Sequence, residues 1–282
     1  MSVPVAFNDI GKSTRDLLNK DYPIEGAKVE VKTNTSDGKS FKFNSQRDSK
    51  TGIMFGDIEA KYINIQKGIT WTGAWTTSNQ LNGKIELQND FTKGVKFEIL
   101  ATCEPFAHGR LNKLNATHKR PSIHTTANID LSKSILNINS VFGSEKMLVG
   151  AEVAYNIKKS EISHYNTAIA YSEKKHTIAL HAANNLSHFT ASYYKRLDNR
   201  LETTGKVSWD KGVNGVGVEI GVKKVLDETA SVKGKIKNTG IVGISYTQLI
   251  QPKVKINLAA AIDTMRLNQN AHRIGFALMF EN

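Results

Sequence analysis

The sequence predicts an all-β fold, a transmembrane β-barrel of many strands that is preceded by one short α-helix. From Gly26 to the C-terminal end, apolar and polar residues alternate with a period of two, which is the pattern of strands with two different faces. The alternating segments recur about every 13 to 14 residues, which suits a strand long enough to cross a membrane plus a short turn. The first twenty residues follow a helical period instead.

The N-terminal segment reads as an amphipathic helix of about 15 residues, with Gly11 as a candidate break and an end before Pro23. A helix of this length is marginal alone in water, so it must pack against something. The residues expected to pack on a wall lie on its apolar side: Ile10, Thr14 and Leu17, together with Leu18. Lys12, Arg15 and Asn19 fall on the other side.

The strand segments cover the rest of the chain without a domain boundary or a linker. Val29 and Val31 alternate with lysine and glutamate, and Val95, Phe97 and Ile99 do the same. Counting such segments gives about eighteen to twenty strands, and closing them into one barrel removes the exposed strand edges. We therefore expect one domain over residues 1–282, with the helix and linker in 1–25 and the barrel strands in 26–282.

Composition narrows the class of protein. The net charge of +12 suggests anionic partners, which are nucleic acid, anionic lipid or phosphorylated metabolites. Cys103 is the single cysteine, so no intramolecular disulfide forms, and the N-terminus lacks a secretory signal pattern. A membrane barrel without such a signal suits an organelle outer membrane better than a bacterial one. The histidines and carboxylates show no metal-ligand or catalytic spacing, so we expect no metal, no cofactor and no enzyme activity.

The position of the lysines determines which charge of solute a barrel of this kind would favour. If Val29, Phe97 and Ile236 face lipid, then the intervening lysines face the lumen. The expected pore-lining and voltage-sensing set is Lys12, Arg15, Lys20, Lys28, Lys61, Lys96, Lys233, Lys235 and Lys237. Fixed positive charge in a wide pore enriches anions, although screening over about 8 Å keeps the selectivity modest. The alternative is that these lysines form only a solvated face.

Two ordered sets of residues resemble a known family. Val3-Pro4 followed by Asp9-Ile10-Gly11-Lys12-Ser13 resembles the N-terminal helix of the mitochondrial porins, the voltage-dependent anion channels. The C-terminal stretch resembles the β-signal that outer-membrane assembly machinery reads, through Arg273, Gly275, Leu278 and Phe280. The resemblance extends over essentially the whole chain and implies a barrel of nineteen strands with the helix inside the pore.

The resemblance also implies a function. A member of this family is expected to be a voltage-gated, weakly anion-selective diffusion channel of the mitochondrial outer membrane, which passes ATP, ADP, phosphate, organic acids and ions. The implied partners are membrane lipid, small anionic metabolites, nucleotides near Lys12, Arg15 and Lys20, and the outer-membrane assembly machinery, but not nucleic acid. A homo-oligomer is left open. The alternatives are a protein-translocating barrel of the same superfamily and a basic β protein that binds nucleic acid or lipid.

The linker departs from the family pattern. The Gly-rich segment that follows the helix in the family is replaced here by Asp21-Tyr22-Pro23-Ile24-Glu25-Gly26. Because proline fixes its φ angle, Pro23 stiffens this segment. Voltage gating through movement of the helix and its charges remains one hypothesis, since moving one charge through 100 mV contributes about 2.3 kcal/mol. A fixed helix with gating elsewhere is the alternative.

Overall fold

A computed structural model describes residues 3–35, 37–88, 94–104, 110–212, 215–269 and 271–282. Within these ranges the chain forms a short 3₁₀ helix (Phe7–Asp9), one α-helix, α1 (Lys12–Asn19), and nineteen strands. The strands are β1 (Gly26–Asn34), β2 (Lys39–Asp48), β3 (Met54–Asn64), β4 (Ile69–Thr76), β5 (Leu81–Leu87), β6 (Val95–Cys103), β7 (Arg110–Arg120), β8 (Ile123–Asp130), β9 (Ile135–Ser144), β10 (Met147–Asn156), β11 (Glu161–Ser172), β12 (His176–Ala183), β13 (His188–Arg196), β14 (Leu201–Asp210), β15 (Val216–Val225), β16 (Ala230–Lys237), β17 (Ile241–Gln251), β18 (Val254–Asp263) and β19 (Arg273–Glu281).

The strands form one closed sheet. Each strand pairs antiparallel with the next along the chain, and β1 closes the ring by pairing parallel with β19. At this seam Ala27 lies opposite Phe276 on one side and opposite Arg47 on the other. An odd number of up-and-down strands leaves the first and last strands pointing the same way, so the parallel pair follows from the count. The predicted barrel is confirmed.

The two faces of the sheet differ as the alternation predicts. Phe97 and Ile99 of β6 are 49% and 43% exposed on the outside, whereas Lys96 and Glu98, which alternate with them, face inward. Trp71 and Trp75 of β4 are likewise exposed on the outer face. A continuous outer band of large apolar side chains with a polar interior is the pattern of a barrel surrounded by lipid.

The N-terminal segment is less helical than the sequence predicts. Gly11 has a left-handed φ of 68°, which separates the 3₁₀ helix from α1 and confirms the break. The α-helix therefore has 8 residues instead of about 15. It ends where Lys20 becomes extended and Asp21 adopts a φ of 65°. In the described ranges no helix is long and apolar enough to cross a bilayer.

Candidate functional site

The N-terminal segment lies against the inner wall of the barrel. Helix α1 contacts β13, β14 and β15, and the 3₁₀ helix contacts β9 and β10. Leu17 and Leu18 are 3% and 1% exposed, and the Thr204 hydroxyl donates a 3.0 Å hydrogen bond to the Thr14 hydroxyl. Ile10, Thr14 and Leu17 thus lie on the wall side of the segment. Ile10 packs with Phe7 and Val141 in a small apolar cluster.

Three inward-facing glycines make room for this segment. A Cβ atom at Gly221 would lie 2.7 Å from a Leu18 methyl carbon and 2.9 Å from one of Leu17. A Cβ atom at Gly150 would lie 2.8 Å from the Phe7 ring, and one at Gly143 would lie 2.7 Å from Pro4. These distances are shorter than van der Waals contact, so the close approach of the helix depends on glycine at these positions.

The linker after the helix is bound to the wall through Asp21. Its carboxylate accepts hydrogen bonds from the ammonium groups of Lys233, at 2.9 Å, and Lys255, at 3.4 Å. Lys233 also donates to the Lys20 carbonyl at 3.1 Å, and the Ser245 hydroxyl donates to the Asp21 carbonyl. We call Asp21, Lys233, Lys255 and Ser245 the linker latch.

The electrostatics of the latch favour an ionised Asp21. Burial alone would raise the pKa of the Asp21 carboxyl, but the hydrogen bond and charge of Lys233, helped by Lys255, hold this pKa below its ordinary value. Burial, together with the nearby carboxylates of Glu219 and Asp21, raises the pKa of the neighbouring Tyr22. The Tyr22 ring in turn lies under the Lys235 ammonium, 4.4 Å from the ring centroid.

The charged residues of the helix point away from the wall. Lys12 is exposed and pairs with Asp9 at 3.1 Å. Arg15 is exposed and donates to the Asn8 carbonyl, and Lys20 is exposed at the start of the linker. These three cations therefore face the interior of the barrel.

The lysines on the first six strands are largely neutralised by neighbouring carboxylates. Lys28 lies 3.3 Å from Glu30, and Lys96 lies 2.9 Å from Glu86 and 2.7 Å from Glu98. Lys61 lies on the inward side of β3, since its neighbour Tyr62 is exposed on the outer face. This part of the wall carries alternating charge rather than a uniform positive field.

The lysines of β16 are placed differently from the sequence expectation. Lys233 and Lys235 have only 7% and 11% of their side chains exposed, because the helix and linker cover them. Lys235 donates to the Leu18 carbonyl and lies 3.5 Å from Glu219. Lys237 is 40% exposed and faces open lumen. Two of the expected pore-lining lysines therefore anchor the N-terminal segment instead of lining free space.

A cationic recess of about 540 Å³ opens beside the linker. It is bounded by Tyr22 and Ile24 of the linker, and its cations are Lys50, Lys235, Lys237, Arg266 and Arg273. Arg266 is paired with Asp263 at 2.7 Å. The sequence pattern did not identify Lys50 and Arg266, because both lie in loops, where the alternation of apolar and polar residues does not predict which way a side chain points. No group of residues suited to hold a metal ion occurs in the described ranges.

The residues of the expected assembly signal all lie on β19. Phe276, Leu278 and Phe280 share the outer face, whereas Gly275 is buried on the inner face. A Cβ atom at Gly275 would lie 1.8 Å from the Pro23 carbonyl oxygen and 2.4 Å from that of Gly26. Gly275 is therefore the position over which the linker crosses the seam to enter β1.

Comparison with known proteins agrees with this architecture. The porin of the mitochondrial outer membrane from Neurospora crassa is 35% identical over the full length of both chains. The corresponding porin of Candida albicans is 33% identical over 98% of this chain and 99% of its own. A relative from Meleagris gallopavo, named non-selective voltage-gated ion channel VDAC2, is 32% identical over 100% of this chain and 95% of its own.

Solved structures show the same kind of fold. A mutant of Rh. blastica porin superposes with a TM-score of 0.53 at 8% identity, covering 83% of this chain and 96% of its own. At that identity the likeness concerns the barrel fold alone.

The sequence model of the eukaryotic porins matches residues 3–275. With the closed barrel, the helix on its inner wall and full-length relatives, these findings confirm the resemblance: the chain belongs to the eukaryotic porin family.

Proposed function

We propose that this protein is a voltage-gated, weakly anion-selective diffusion channel of the mitochondrial outer membrane for small hydrophilic solutes such as ATP, ADP, phosphate and organic acids. The observation that carries the proposal is a closed barrel whose inner face is charged and holds a helix. Family membership indicates a channel rather than an enzyme. The names of its full-length relatives, a mitochondrial outer-membrane porin and a voltage-gated ion channel, support the location and the gating.

Anion selectivity is supported by the placement of the cations. Most lysines on the wall of the first six strands are paired with carboxylates, whereas the helix and the recess beside the linker carry exposed cations. Lys20 and Lys61 face the interior without a carboxylate partner among the described side chains. Phosphates favour such cationic groups, so nucleotides are expected to contact Lys12, Arg15 and Lys20 in passage.

Reversal potential tests this selectivity. The refolded protein, in a planar bilayer under a KCl gradient, is expected to show a mild chloride preference. Lys20→Glu and Lys61→Glu should each shift the reversal potential toward cations. Lys159→Glu makes the same charge change at an exposed turn outside the strands, so it should shift the potential much less. A wild-type cation preference would contradict the selectivity and leave the channel in place.

We also propose that gating requires the helix to leave the wall. A disulfide between Thr14→Cys and Thr204→Cys, in a Cys103→Ser background, joins two positions whose hydroxyls lie 3.0 Å apart. The oxidised protein should stay in one conducting state across a voltage ramp, and reduction should restore closure at both signs. Unchanged gating in the oxidised form would contradict helix movement, because the crosslink prevents it.

A further inference from the structure

A cleft of about 720 Å³ lies on the outer face of the barrel at the seam between its first and last strands. Its walls are the outward-facing side chains of β17, β18 and β19, namely Tyr246, Leu258, Ile274 and Phe276, and its floor includes Ala27 and Ala260. Ala260 lies opposite Ile274 and Ile244 in register, and Ala27 lies opposite Phe276. Small residues among large ones thus leave a depression in the apolar band.

One cation, Arg47, borders this cleft. Arg47 is the last residue but one of β2 and lies opposite Ala27 in register. Because side chains alternate along the strand, Arg47 lies on the same outer face as Phe41 and Phe43, which are 51% and 43% exposed. It is itself exposed and has no hydrogen-bond or ion-pair partner among the described residues. At the end of a strand, where the membrane meets water, the cost of an outward-facing arginine is small.

The neighbouring carboxylate does not neutralise Arg47. The Asp48 carboxylate accepts hydrogen bonds from the backbone N–H groups of Lys50 and Thr51, both at 2.8 Å, and from the Thr51 hydroxyl at 3.0 Å. All three bonds go to the Oδ1 atom and hold this carboxylate in the turn, and no ion pair joins Asp48 to Arg47 among the described side chains, although Asp48 also borders the cleft. The guanidinium of Arg47 therefore remains available to an anion from outside the protein, and its planar set of donors suits a phosphate.

We propose that this cleft binds one anionic glycerophospholipid of the surrounding bilayer, with the phosphate on Arg47 and an acyl chain over Ala27 and Ala260. The apolar side chains that line the cleft suit an acyl chain, and the guanidinium of Arg47 suits the headgroup phosphate. An uncharged sterol would leave Arg47 without a partner. The inference goes beyond the channel function and shares with it only the location of the barrel in a bilayer.

Native mass spectrometry of the purified full chain in detergent tests the site. The probe is an equimolar mixture of a phosphatidylglycerol and a phosphatidylcholine. We expect one retained lipid with preference for phosphatidylglycerol, and retention about fivefold weaker in Arg47→Gln. Ala260→Leu, which fills the cleft, should lower retention of both lipids. The matched controls are Arg120→Gln, an exposed arginine at the end of β7, and Ala151→Leu, on the outer face of β10.

The outcomes separate the site from the channel. Equal retention of the two lipids, equal losses in the control variants, or a second copy of the chain in place of lipid would overturn the proposal. Conductance of the wild-type barrel in a planar bilayer reports on the channel separately. A barrel that conducts ions but retains no lipid at this cleft therefore overturns the lipid site alone.

Discussion

Asp21 shows how a single side chain sets the position of the N-terminal segment. Its φ of 65° lies in the left-handed region, which aspartate and asparagine tolerate better than most residues. This backbone turn directs the carboxylate toward two lysines of the wall, on β16 and β18. The resulting contacts join the end of the helix to strands that follow it by more than two hundred residues.

Asp21→Asn should loosen the linker without straining the backbone. Asparagine keeps the left-handed conformation and the size of the side chain, but it removes the charge that binds Lys233 and Lys255. We expect trypsin to cut after Lys20 about fivefold faster in the refolded protein, because loss of one such bond costs about 1 kcal/mol. Asp16→Asn is the control, since Asp16 is on the same segment and has no partner among the described side chains. Equal cleavage in both variants would contradict the latch.

The latch should also respond to acid. Because the folded-state pKa of Asp21 lies below the ordinary value of 3.8, its ion pairs stabilise docking above that value and are lost as the pH falls through the folded pKa. A spin label at Ser13→Cys, in a Cys103→Ser background, should become more mobile in that acid range and stay constant at higher pH. Asp21→Asn should remove most of this transition. The same transition in the variant would assign it to other carboxylates.

At the scale of helices and strands, the period of the hydrophobic pattern predicts which way a side chain points but not which residues it contacts. Alternation predicts that Phe97 faces outward and Lys96 inward, and the helical period predicts that Leu17 packs on a wall; in the structure Phe97 is exposed on the outer face and Leu17 is buried. The alternation could not show that Lys233 and Lys235 are covered, because that depends on which strands the helix meets. The alternation also could not identify Gly150 or Gly221. Glycine has no side chain that could add to a pattern of apolar and polar residues, and these two glycines act by leaving space for the N-terminal segment.

Gly221→Val should displace helix α1 from β15. The valine Cβ would lie within 3.0 Å of methyl carbons of both Leu17 and Leu18, and its branched methyl groups allow little adjustment. We expect faster tryptic cleavage after Arg15 and noisier open-channel current, with the barrel still folded. Gly205→Val, on the adjacent strand β14, is the control, because no heavy atom lies within 4 Å of a Cβ there. Undisturbed protection in Gly221→Val would show that the leucines can repack.

At the scale of the whole molecule, closure depends on one parallel strand pair. All strands share the same alternation, so periodicity alone gives a count of about eighteen to twenty and not the pairing of the ends. The odd number came from the family resemblance, and the β1–β19 pair confirms it. The sequence similarly marked Gly275 as part of an assembly signal, whereas its contact with the linker is visible only in three dimensions.

Gly275→Val tests whether this glycine is needed for closure itself. Its Cβ would lie 1.8 Å from the Pro23 carbonyl oxygen and 2.4 Å from that of Gly26, so backbone rather than a side chain must move where the linker enters β1. We expect a destabilisation of about 3 kcal/mol and a much lower yield of heat-resistant barrel on refolding in detergent, where no assembly machinery is present. Gly83→Val is the control, since a Cβ at that outer-face position would meet no heavy atom closer than 3.9 Å.

If Gly275→Val refolds like the control but fails to insert in mitochondria, the glycine acts only as a signal. If both steps fail, the linker crossing and the assembly signal depend on the same residue, because the strand that is recognised is also the strand that closes the barrel.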